Sequence, residues 1–120
     1  MNSTHEPDTE RLRRIADNEA LFRSVNERVE EINDTFAPIT DSFNIVCECG
    51  HMECIDRIPV EPQTYEHVRA DSALFFVVPG HELPEAEDVV DRASTYAIVR
   101  KHPGIPQAIA EQQDPRAESE

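Results

Sequence analysis

The sequence predicts an α+β domain, with a long N-terminal helix packed on a small, mainly antiparallel sheet. Three observations point there. Phe22, Val25, Val29, Ile32 and Phe36 recur at intervals of three and four, the repeat of a helix face. Downstream, short β-prone runs alternate with Pro- and Gly-marked breaks. All three cysteines, Cys47, Cys49 and Cys54, fall within eight residues, between two of those runs.

Residues 1–7 are short, polar and read as a disordered tail. Residues 8–35 read as the helix, with Asp8 as its N-cap. Extending the apolar seam back from Phe22 lands on Asn18, and Leu12, Ile15 and Leu21 widen the buried face. Such a seam suits packing on its own domain or a homodimer through the helix, where a lone Asn could fix the register. Pro38 closes the helical region.

Residues 42–49 read as a strand running into the cysteines, and residues 57–60 as a second strand leaving them, which makes a hairpin with the cysteines at its tip. Pro62 suits the first turn of a short helix in which Tyr65 and Val68 share a face. Residues 73–78 form the most apolar run and read as a central strand. Residues 88–101 read as two strands around a turn near 92–94, with helix an alternative for residues 84–90. Residues 103–120 contain Pro103, Pro106 and Pro115, end in a polar string, and read as a disordered acidic tail. The predicted single domain is therefore residues 8–102. About 95 residues make a thin core, for which a structural metal is a useful staple.

The formal net charge is −14. That charge disfavours nucleic acid and anionic membrane and suits solubility or a partner with a basic surface. No cationic leader with an apolar run opens the sequence, and no stretch reaches membrane-spanning length, so a cytoplasmic location is expected. In a reducing compartment three clustered thiols point to metal ligation rather than to disulfides.

Zinc in a structural site takes four ligands in a tetrahedron, mostly thiolate and imidazole. Cys47, Cys49 and Cys54 supply three, and Gly50 allows a sharp turn between them. The alternative is three buried free thiols. The fourth ligand comes from elsewhere. His81 follows the apolar strand in a Pro79-Gly80 turn, where it would tie two parts of the domain together. His51, inside the knuckle, is the alternative, followed by Asp56, His67, His102 or water, while His5 lies in the tail. The resulting Cys3His set also suits an iron–sulfur cluster. Small membrane-tethered proteins with three cysteines and one histidine carry one, although this chain shares only their opening Cys-x-Cys.

The string Cys47 to Ile58, then Tyr65-Glu66-His67-Val68-Arg69, Pro79-Gly80-His81 and a terminal Tyr96 to Lys101, resembles a group of small, uncharacterised bacterial proteins. They share Cys-x-Cys-Gly, a third cysteine, Tyr-Glu-x-Val-Arg and Pro-Gly-His. The resemblance implies no reaction, but it favours His81 over His51 as the ligand.

Catalysis has little support. Three thiolates make zinc a poor Lewis acid, the deaminase pairing of His-x-Glu with Pro-Cys-x-x-Cys is missing, and three glycines build no phosphate loop. The sequence therefore suits a regulatory or adaptor module contacting a protein partner. The alternatives are a thiol-based redox or metal sensor and, behind it, a zinc enzyme. Nucleic-acid binding stands last because of the charge.

Overall fold

The computed structural model describes residues 9–35 and 42–118. Helix α1 runs Thr9–Thr35, followed by β1 (Phe43–Val46), β2 (Arg57–Val60), α2 (Pro62–Arg69), β3 (Leu74–Val77), β4 (Glu87–Arg92), β5 (Ala97–Lys101) and α3 (Ile105–Gln112), then a 3₁₀ turn at Pro115–Glu118. The fold is α+β, as predicted. β1 and β2 form an antiparallel hairpin in which Phe43 faces Val60 and Val46 faces Arg57. The other three strands form a second antiparallel sheet in the order β3-β5-β4. Just past β1, the Glu48 N–H donates to the Phe76 carbonyl at 2.8 Å, which stitches the hairpin to β3.

Alternation along β1 and β2 buries Ile45, Ile58 and Val60, and Phe75, Phe76 and Val77 of β3, buried on both faces, join them in one cluster with Val99 of β5. Tyr65 on α2 enters the same cluster, stacked on Phe76 with ring centroids 5.9 Å apart. Pro62 sits in the first turn of α2, where its missing N–H costs nothing. Residues 84–90, open to helix in the sequence, lead into and form most of β4 instead. A register shift between Val89 and Asp91 turns Val90 outward.

Two expectations are corrected. The buried face of α1 is not the apolar seam. Ile15, Ala16 and Ala20 are buried together with Glu19, Arg23, Asn26 and Glu30, whereas Leu21, Val25 and Ile32 are exposed. Phe22 and Val29 are half-buried, and Phe36 lies outside the described residues. The polar face is viable because its groups find partners. Arg23 donates to the carbonyls of Ser72 and Ala110 at 2.8 and 2.7 Å. Glu19 accepts from Lys101, which also donates to Glu87 at 2.8 Å. Burial lowers the Lys101 ammonium to about 7 and lifts the Glu87 carboxyl to about 7.

The second correction concerns residues 103–120. Gly104, at φ 101°, turns the chain, Pro106 occupies the first turn of α3, and Ile109 and Ala110 are buried. α3 packs against α1. Beyond it, Arg116 contacts Glu27, Glu30 and Glu66 at 3.0, 3.2 and 2.9 Å. The prolines that suggested disorder mark a turn and a helix start. The N-terminal stretch 1–7 and the Asp8 cap lie outside the described residues.

Candidate metal centre

Cys47 leaves the end of β1 and Cys49 follows two residues later, both fully buried, while Cys54 closes the loop and is half-buried. The loop is drawn together by its own backbone. The Cys54 N–H donates to the His51 carbonyl at 3.0 Å, and the Cys47 N–H to the Asp56 carbonyl at 2.9 Å. His81 arrives from the other sheet, one turn past β3. Its N–H donates to the Val78 carbonyl at 2.9 Å, and Gly80, at φ 94°, makes the turn that aims the ring.

One ligand atom from each of Cys47, Cys49, Cys54 and His81 lies within 4.8 Å of the others. His81 Nδ1 is 3.6 Å from both Cys47 Sγ and Cys54 Sγ. His81 Nε2 faces Asp56 Oδ2 at 3.6 Å, the arrangement in which a carboxylate orients a ligating imidazole. The other residues weighed as ligands do not join this group. His51 and His67 are exposed, and His102 Nε2 contacts Asp88 at 3.1 Å. His5 is outside the described residues.

The thiols do not ionise alike. Cys49 is pulled down to about 5, first by the hydrogen bond from Cys47 and then by the His51 N–H and the His81 ring. Cys47 is pushed up, first because it holds the proton in that bond and then by burial. Burial also raises Cys54. Three thiolates so close together repel one another and need a cation, and a Cys3His set is a donor set that holds one. The Val78 N–H reaches Cys47 Sγ at 3.2 Å and is ready to donate to a thiolate there.

Glu48, between the first two cysteines, anchors the site and was not singled out by the sequence. It is fully buried and accepts from both terminal nitrogens of Arg69, at 2.8 and 2.9 Å. It also accepts from Asn26 Nδ2 at 2.7 Å and the Phe76 N–H at 3.0 Å. Burial works against the Arg69 charge, but the Glu48 carboxylate more than offsets it and lifts the guanidinium above its ordinary range. Asn26 also accepts from the Val46 N–H and donates to the Val46 carbonyl, both at 2.8 Å, acting as a one-residue partner strand. The knuckle is thus fixed to α1 and α2 by a residue flanked on both sides by cysteines of the cluster.

Gly50 lies in a bend of the loop, as expected, and has a second role as well. It does not occupy the left-handed region. A side chain there would meet Ile15 Cγ2 at 2.9 Å and Leu83 Cδ1 at 3.1 Å, so glycine is required for the close approach of the loop to α1. The Gly50 carbonyl accepts from Asn18 Nδ2 at 3.3 Å, an intramolecular task for the asparagine that the helical seam had singled out.

Fold and site together define a small α+β domain closed around a Cys3His cluster that can hold a metal ion. Comparison with protein-family models, curated proteins and solved structures finds no match. Among the described residues no helix is long and apolar enough to cross a membrane.

Proposed function

We propose that this chain is a small acidic cytoplasmic zinc protein in which zinc is structural and the folded domain serves as a regulatory or adaptor module for a protein partner. The convergence of three sulfurs and one imidazole nitrogen within 4.8 Å carries the reading. A sulfur about 2.3 Å and an imidazole nitrogen about 2.05 Å from a tetrahedral zinc stand about 3.6 Å apart, and His81 Nδ1 lies 3.6 Å from the sulfurs of Cys47 and Cys54. A two-iron cluster would spread its four ligands over two irons, which favours the single ion. A fourth protein donor makes the site closed, as a structural zinc requires.

The adaptor role rests on the outer face of α1. Leu21, Val25 and Ile32 are exposed there, on a chain whose net charge is −14, which suits an apolar contact rimmed by basic groups of a partner. Native mass spectrometry of untagged protein tests the zinc: one ion per chain is expected, and a well-folded ion-free chain refutes it. Affinity capture tests the surface. Leu21→Glu with Ile32→Glu is expected to lose the partner with the fold intact. Retention of every partner by that variant refutes a role for this face. The same mass spectra distinguish a hetero-partner from a second copy of the chain.

A further inference from the structure

The four donors are not equally placed. Cys47 and Cys49 are 1 % and 0 % exposed, and the Cys47 sulfur accepts from the Val78 N–H. Cys54 and His81 instead line an open hollow of about 440 Å³, shared with His51, Ile55 and Asp56. A small solute can reach the centre there. Of the three sulfurs, only Cys54 lines that hollow, and both other sulfurs are within 4.8 Å of it.

We propose that Cys54 is a modification site for hydroperoxides, the one thiolate of the centre open to attack, and that its oxidation opens the metal site. The inference rests on the zinc reading above. The Cys54 thiolate attacks one oxygen of hydrogen peroxide. An S–O bond forms, the O–O bond breaks, and hydroxide leaves, so the sulfur is oxidised to sulfenic acid and the peroxide reduced. The thiolate of Cys47 or Cys49 then attacks the Cys54 sulfur. An S–S bond forms, the S–O bond breaks, and a second hydroxide leaves. Two ligands are consumed in one disulfide, and the remaining pair is too small a set to retain zinc. The proximity of the sulfurs lets this happen with a short movement of the half-buried cysteine.

The full-length, zinc-loaded protein is exposed to substoichiometric hydrogen peroxide. A zinc-sensitive dye follows release, and peptide mapping with a sulfenic-acid trap locates the oxidation. The expected result is Cys54 modified first, then a disulfide from Cys54 to one buried cysteine, two hydrogens lighter than the dithiol, with zinc lost in step. Modification of Cys47 or Cys49 first in the zinc-loaded wild type overturns the inference alone. So does zinc release while Cys54 remains unmodified. A wild-type chain that is folded yet takes up no zinc overturns the zinc reading, and this inference falls with it.

Discussion

Arg69→Met offers a sharp test of how the cysteine loop is anchored. Arg69 and Glu48 side chains are 2 % and 0 % exposed, and the guanidinium meets both carboxylate oxygens in a bidentate pair. Methionine keeps much of the aliphatic volume but leaves the Glu48 charge with only Asn26 and the Phe76 N–H. Breaking one side of a buried pair costs about 3–5 kcal/mol. The guanidinium also lies 5.0 Å from the Tyr65 ring centre, a contact worth about 1 kcal/mol that methionine replaces only in part. Stability should therefore fall by about 4 kcal/mol, a large share of the 5–15 kcal/mol typical of a small domain. With a urea slope of about 2 kcal/mol/M, the midpoint should drop by about 2 M. Equilibrium urea unfolding at fixed free zinc, followed by circular dichroism, reads this directly. Arg69→Lys, which keeps the charge but not the fork, should fall between. A methionine variant within about 0.5 kcal/mol of wild type would show that the pair is not an anchor.

Three further outcomes are expected. His81→Ala should lose metal and melting temperature together, because ligation and folding are linked; metal loss with unchanged melting contradicts a structural role. Gly50→Ala should destabilise by about 1–3 kcal/mol, since its methyl would press on Ile15 and Leu83; a neutral result in thermal melts would mean the loop moves aside freely. Burial, with a hydrogen bond to Glu66, raises the Glu30 carboxyl from 4.5 to about 8. The folded state then binds the extra proton, so this stabilising contribution is complete below pH 4.5 and is lost as pH rises through 8. Glu30→Gln mimics the protonated form and should gain on wild type in urea midpoints as the buffer moves from about pH 5 to about pH 9, and a constant difference would contradict the shift.

The elements that obey a period were legible. β1 and β2 follow alternation and residues 57–60 form β2 where they were expected, whereas the apolar run expected to be central forms β3 at the edge of its sheet, with β5 in the middle. His81 was legible because Pro79 and Gly80 end an apolar strand just before it. The contact face of α1 was not, since Glu19, Arg23, Asn26 and Glu30 read as solvated until their partners are known. Those partners, Lys101, the Ala110 carbonyl, Val46 and Arg116, lie far off in sequence. Glu48 was hidden for a similar reason. Alternation sets it opposite Cys47 and Cys49, where a charged residue normally means water. α3 was obscured by the prolines around it, which are compatible with a short helix when one occupies the first turn.

The link between the two extremities bears on how the molecule is made. Arg23 reaches a carbonyl 87 positions away and Glu19 a lysine 82 away. A ribosome delivers α1 before β5 and α3, so its inward charges stay in water until those elements have emerged. Early collapse of the helix onto a half-made sheet would strand those charges, and the finished arrangement becomes favourable only when β5 and α3 arrive. Assembly of this face thereby waits on elements made long after the helix itself.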